Sequence, residues 1–238
     1  MLHRFIVTGM CVCTAMLAWA QPARAQQQTV NFTLGYFTPH SEDARTSGDV
    51  LNANLNAGRY GLFYEIDDFN SASIGGEWLF PIGNFIEGGI GVSFSRQTVP
   101  SVYQNFIDSD GTEIDQDLRL RMVPTTFSVR FIPTGHSSLF QPYIGAGLGI
   151  IAWRYSETGE FIDPGAGDEI FRDSTTYVKS GADVGPVFLG GLRFAGRTVS
   201  SGFEVRYQNA EGTLNNLFAG PKIDLGGWTY NWTFGVRF

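Results

Sequence analysis

From residue 29 onward, apolar and polar side chains alternate in runs with a period of two. Such alternation marks a β-strand whose two faces meet different surroundings. Val30, Phe32, Leu34 and Tyr36 share one face of 29–37, and Ala72, Ile74, Gly76, Trp78 and Phe80 share one face of 71–80. Further runs fall at 85–94, 117–132, 141–153, 182–194, 202–208 and 227–238, which makes eight strands. Most are near the roughly 9–11 residues that a tilted strand needs to cross a bilayer. In 117–132 the apolar set changes phase, from Leu118, Leu120 and Met122 to Thr125, Phe127, Val129 and Phe131. A one-residue slip turns every later side chain to the other face unless a bulge absorbs it, so the pattern predicts a bulge at Val123-Pro124.

The connectors alternate in length. Residues 81–84, 133–139 and 195–201 are short, whereas 38–70, 95–116, 154–181 and 209–226 are long. Tight turns at one rim and extended loops at the other predict an antiparallel transmembrane β-barrel, with the short turns in the periplasm. A soluble sandwich would bury its apolar face and would not sort its loops by end. In the first long connector, "SGDVLNANLNAG" (47–58) predicts a short helix with Asp49 as N-cap and Gly58 just past its end. Leu51 and Leu55 would then share a face.

The N-terminus changes the picture of compartment. "FIVTGMCVCTAMLAWA" (5–20) is apolar and uncharged, follows His3 and Arg4, and leads to Ala23-x-Ala25. This is the layout of a secretory signal peptide, cleaved after Ala25, which leaves residues 26–238 as the barrel domain. Both cysteines, Cys11 and Cys13, fall in that segment, so no disulfide holds the exported chain together. Without Arg4 and Arg24, 14 basic residues face 23 acidic ones, a net charge of −9. That balance argues against nucleic acid as a partner.

"LGYFTP" (34–39), "QPYIGAGLG" (141–149) and the aromatic-terminated last strand carry a family resemblance. The chain resembles the bacterial outer-membrane β-barrel family, the small eight-stranded barrels that include outer membrane proteins W and X and the membrane domain of outer membrane protein A. The resemblance runs from residue 28 to 238. It implies a Gram-negative outer membrane, a surround of lipid and lipopolysaccharide, and a monomer. It also implies that Trp232, Phe234, Val236 and Phe238 form the C-terminal strand recognised by the barrel-assembly machinery. It fixes no single activity, because one fold hosts many functions.

With the apolar set facing lipid, the alternate set lines the lumen. It holds Glu77, Glu87, Arg119, Arg121, Arg130, Asp183, Arg193, Glu204, Arg206 and Arg237. Glu77, Glu87, Arg130, Arg193, Glu204 and Arg237 lie near the short-turn rim and would form a paired, neutral plug. Eight strands enclose room for side chains or one small ligand. Gly89, Gly91, Ser93, Gly145, Gly147, Gly149, Gly185 and Gly235 face inward above the plug. They would leave an outer cup for a small apolar molecule, with Tyr60, Phe63, Tyr64, Tyr103 and Phe106 at its mouth. The alternative is that inward Tyr143, Ile151, Trp153 and Leu189 fill that space.

"DSDGTEID" (108–115) is oxygen-rich but lacks EF-hand spacing, and predicts a solvated turn. His40 and His136 are the only histidines after the signal, and neither has an oriented base-nucleophile pair in sequence. The expectation is no enzyme, cofactor or metal. The expected function is binding or passage of small apolar molecules through a narrow plugged lumen. The alternatives are a structural or adhesive surface barrel working through acidic loops and, behind it, a lipid-modifying enzyme.

Overall fold

The computed structural model describes residues 27–163, 165 and 167–238. The predicted signal peptide and its cleavage site lie outside the described residues. Long strands dominate: β1 (Thr29–Pro39), β3 (Ser71–Ile82), β4 (Ile86–Ile107), β5 (Glu113–Phe131), β6 (Phe140–Asp163), β7 (Glu169–Ala195), β8 (Val199–Gln208) and β11 (Gly227–Arg237). Among the described residues these eight close a ring in that order, each antiparallel to the next, with β11 returning to β1. The closing seam runs from Thr29↔Arg237 to Pro39↔Gly227. It is tied off below by Gln28 and Phe238, which exchange backbone hydrogen bonds of 2.8 and 3.0 Å. Closure leaves no free edge in the ring, so the last strand is paired on both sides.

The elements between them are small. A helix α1 (Val50–Leu55) and a two-residue strand β2 (Leu62–Phe63) lie in the first long connector. A short hairpin of β9 (Glu211–Thr213) and β10 (Lys222–Asp224) lies in the last. The N-cap of α1 is Asp49, whose carboxylate accepts from the backbone N–H of Leu51 and Asn52. The helix ends at Asn56, two residues earlier than the predicted glycine stop, and Gly58 with φ +62° opens a 3-10 turn instead.

Two expectations are corrected. The connectors 95–116 and 154–181 are not loops: β4 with β5, and β6 with β7, continue as paired hairpins far above the belt of outward apolar residues. The ten residues from Arg154 to the end of β6 add roughly 30 Å along the strand. Nor is there a bulge at Val123-Pro124. β5 pairs with β6 without interruption from Gln116↔Gly159 to Phe131↔Ile144. On the β4 side, Val92↔Thr125 and Ser95↔Met122 keep one register across a gap where Pro124 offers no N–H.

The pattern shifts because the surroundings of the two faces exchange. Within the belt the outward face is apolar, as at Phe127, Val129 and Ile144, and the inward face is mostly polar, with Leu79, Tyr143 and Leu189 among its buried side chains. Above the belt the inward face is apolar, with Leu118, Leu120, Met122, Ile151, Trp153 and Tyr155 all buried. The outward face there carries Arg96, Arg119, Arg121 and Arg154, all exposed. Arg119 and Arg121, expected in the lumen, therefore point outward.

Candidate functional site

The lumen is built in two layers. Near the short-turn rim six neighbouring strands, β3 to β8, each contribute a long polar side chain. Arg130 stands at the centre, 1% exposed. Its Nη2 donates to both oxygens of Glu77 at 2.6 Å and to Glu204 at 2.7 Å. Arg206 Nη2 donates to Glu204 at 2.7 Å and lies 3.4 Å from Glu77. Arg193 grips Glu87 with two parallel bonds of 3.1 and 2.9 Å, the fork geometry that suits guanidinium to carboxylate. Its Nε donates to Gln141 at 2.9 Å. The Tyr143 hydroxyl donates to Glu204 at 3.1 Å, and its ring lies under the Arg130 guanidinium at 4.9 Å.

Five of the six residues named for the plug thus meet in one network: Glu77, Glu87, Arg130, Arg193 and Glu204. Arg237 does not join them. It sits at the rim, where its guanidinium donates to the Gly196 carbonyl. Arg206 takes the third cationic place, so three carboxylates still face three guanidiniums. Distance from the nearest turn misled because tilted strands in a closed barrel are staggered. Arg206 stands well along β8 and yet reaches Glu77 on β3. The inward glycines serve this network. A side chain at Gly145 would meet Leu189 and Arg130 within about 3 Å, whereas one at Gly91 would make only ordinary contact with Glu77 at 3.4 Å.

The second layer is an apolar cap at the loop rim. Val50 and Leu51 of α1 are fully buried. They pack with Leu118, Ile151, Tyr155, Phe218, Ile223 and Leu225 in one cluster drawn from strands, α1 and the last connector. Asp49 fastens it. Besides capping α1, it accepts from Arg45 Nε and Nη2 at 2.6 and 3.0 Å and from the Asp224 N–H at 2.7 Å. His40 braces the same corner, with Nδ1 3.2 Å from Asp224 and Nε2 3.1 Å from the Tyr207 hydroxyl. Inside the cap, Glu157 accepts from Asn54 and from the Tyr155 hydroxyl, both at 2.8 Å. Burial raises its carboxyl above the ordinary range, although both donated bonds pull the other way. Tyr64, also buried there, donates to the Leu51 carbonyl at 2.7 Å, and burial raises its hydroxyl well above its usual value.

Between the two layers remains a cavity of about 20 Å³, bordered by Glu77, Ser93, Met122, Arg206, Gln208 and Asn231. That is room for about one water molecule. The expected outer cup is therefore filled, from below by the charge network and from above by the cap. The aromatics predicted at its mouth are divided. Tyr64 is buried in the cap and Tyr103 is packed against it. Tyr60 stacks on Phe106 at 5.4 Å, and Phe63 is 70% exposed. The acidic run 108–115 closes the β4–β5 hairpin, where Asp110 accepts from Thr112 N–H and hydroxyl. Among the described residues no group of three or more His, Cys, Asp or Glu side chains is placed to hold a metal.

On the seam, Trp232, Phe234, Val236 and Phe238 all point outward, and Phe203 meets Trp232 edge-on at 5.7 Å. OprG, an outer membrane protein of Pseudomonas aeruginosa, is similar in structure with a TM-score of 0.51 at 14% identity, over 90% of this chain and 96% of that one. The chain has the fold of the small eight-stranded outer-membrane β-barrels. The N-terminal β-barrel domain of OprF from the same organism aligns at 11% identity and a TM-score of 0.42, over 90% and 98%. The attachment invasion locus protein Ail of Yersinia pestis aligns at 13% and 0.42, over 90% and 99%. No protein-family model matches the chain, and no curated protein is similar to it in sequence. At these identities the likeness concerns the fold.

Proposed function

We propose that this chain is an integral outer-membrane protein whose barrel is a closed anchor, and that it acts through the structure it holds above the membrane. The belt of outward Ile, Leu, Val and Phe supports membrane insertion, with the short turns in the periplasm. The observation that carries the role is the double closure of the lumen, which leaves about 20 Å³ between network and cap. What stands above the belt is built of paired strands. The β4–β5 and β6–β7 hairpins rise together, and Arg59 and Tyr60 of the first connector hold Asp168 beside the latter's turn at 3.0 and 2.7 Å. Such a platform suits contact with a surface or a partner. Planar-bilayer recording tests the closure: reconstituted protein should leave the current at the lipid baseline. Stepwise conductance, or swelling of protein-loaded liposomes in small solutes, would overturn it.

One observation favours a second reading, passage of a small apolar molecule through the wall. The β4–β5 ladder is interrupted where Ser93 and Phe94 oppose Val123 and Pro124, and the residual cavity touches Ser93 and Pro124. A disulfide between F94C and V123C would lock that seam. Uptake of an apolar dye into vesicles that falls on oxidation would support passage, and unchanged uptake would exclude it.

A further inference from the structure

The exchange of faces leaves a feature that neither the closed lumen nor the hairpin tips use. Arg96, Arg121 and Arg154 are direct partners on three adjacent strands, Arg96↔Arg121 and Arg121↔Arg154, so three guanidiniums stand abreast on one outward rung. Side chains on such a rung have Cβ atoms only about 4.5–5.5 Å apart, and like charges placed directly opposite destabilise a sheet. Arg119 lies one rung higher, level with Thr98 and Ser156, and its Nε donates to the Thr98 hydroxyl at 2.9 Å. Among the described residues none of these four arginines has an ion-pair partner. The nearest outward carboxylate on β5 is Asp117, two residues above Arg119 and four above Arg121, so about 7 and 13 Å along the strand.

The rung also has a defined height. Immediately below it the outward residues are Phe94, Val123 and Ala152, followed by Val92, Thr125 and Ile150. Arg121 lies over the Phe94 ring at 5.7 Å. The arginines thus occupy the first outward rung above the apolar belt, the level of lipid headgroups. They line a cleft of about 400 Å³ whose remaining walls are Ser156, Thr158, Thr176 and Val178. Its hydroxyls are neutral hydrogen-bonding groups. Guanidinium forks match phosphate oxygens in geometry and charge.

We propose that the Arg96–Arg121–Arg154 rung, with Arg119 above it, is a binding site for the phosphorylated headgroup of an outer-leaflet glycolipid. The inference rests on the membrane placement proposed above. A phosphate there would relieve the repulsion of three adjacent cations, while the acyl chains would lie against Phe94, Val123 and Ile150. An anion free in solution would gain the first contact and not the second.

The test uses the full barrel in a neutral detergent, titrated with a bis-phosphorylated, acylated glucosamine disaccharide and with its dephosphorylated counterpart. The phosphorylated lipid should bind, more weakly as salt rises, and the dephosphorylated one should not. R121Q should weaken binding roughly tenfold and R96Q/R121Q/R154Q roughly a hundredfold or more, as expected for charge-assisted hydrogen bonds. All three side chains are exposed, so these variants should keep the heat-modifiable electrophoretic mobility of the folded barrel. If the triple variant does not fold, R121Q alone carries the comparison. Equal binding by wild type and variant, or equal binding of the dephosphorylated lipid, overturns the proposal. So does displacement by inorganic phosphate at the lipid's own concentration, or tighter binding of a soluble sulfated glycan. Insertion into neutral-lipid vesicles, read by protease protection, is scored separately. Failure there removes the membrane placement, whereas normal insertion without phosphate-dependent binding removes only the site.

Discussion

Arg130→Met removes the central cation of the lumen network without a large loss of volume. In the wild type Arg130 hydrogen-bonds two carboxylates, Glu77 at 2.6 Å and Glu204 at 2.7 Å, lies 3.8 Å from a third, Glu87, and is 1% exposed. Afterwards both carboxylates must share Arg206, which is 2.7 Å from Glu204 and 3.4 Å from Glu77. The lumen then holds one buried negative charge in excess. Breaking a buried ion pair from one side costs about 3–5 kcal/mol, because the uncompensated charge stays desolvated. Removing a matched partner should recover part of that loss. In R130M/E204Q the remaining charges are Glu77 with Arg206 and Glu87 with Arg193, two and two. The double variant should therefore be more stable than R130M, with a coupling of about 1–3 kcal/mol. Arg237, which bonds only a rim carbonyl, is the control: R237Q should stay within about 0.5 kcal/mol of wild type. The assay is reversible urea unfolding of the barrel in lipid vesicles, followed by fluorescence of Trp78, Trp153, Trp228 and Trp232. An R130M cost below about 1 kcal/mol, or strict additivity in the double variant, would refute the argument that the lumen is held by charge pairing.

Three further outcomes follow from the cap. Asp49→Ala removes a helix cap and strands buried Arg45, which together should cost about 3–5 kcal/mol in the cap. Limited proteolysis within residues 40–70 should then outpace that of wild type, and equal cleavage rates would argue against this role. Glu157→Gln should abolish a pH dependence of cap stability. Burial raises the carboxyl's pKa in the folded state, so its contribution is complete below the unfolded value and fades as pH rises through the folded one. Wild type should accordingly resist protease better at pH 4.5 than at pH 8, and the variant should lose that difference while being more resistant at pH 8. For conductance, neither R130A nor D49A alone should raise the bilayer current, since the other seal remains, whereas the combined variant should conduct. Current through either single variant would mean that the two layers are not independent barriers.

The strand number, the closing seam and the inward phase of Glu77, Glu87, Arg130, Arg193 and Glu204 were legible in the sequence, because within the belt a period of two has one physical cause. That cause does not hold along a whole strand. The apolar set 118, 120, 122 and the set 125, 127, 129 looked like one face interrupted by a slip. They are opposite faces of a continuous strand, the first buried under the cap and the second part of the outward belt. The substitution of Arg206 for Arg237 had no sequence signal, since stagger between strands is set by closure of the ring. The cap does leave a signal in the sequence. Val50, Leu51, Leu62, Phe69, Leu214, Phe218, Ile223 and Leu225 are too many large apolar residues for solvated connectors, and they required something to pack against.

The same exchange of faces couples the cap to the arginine rung. A strand that passes from lipid into water must reverse which of its faces is apolar, provided that something covers its inner face above the membrane. The cap supplies that cover, and it does so because α1 and the last connector fold over the rim. Once the inner face above the belt is mostly apolar, the arginines of β4, β5 and β6 at that height all stand on the outside, while the inward Glu157 is held by two donated hydrogen bonds. The arginine rung is thus a position at which guanidiniums stay exposed directly above the outward apolar belt. The phase change at Val123-Pro124 is no defect in pairing; it marks the upper edge of the outward apolar belt. A barrel without a cap would need no such reversal and would keep its upper cations inside.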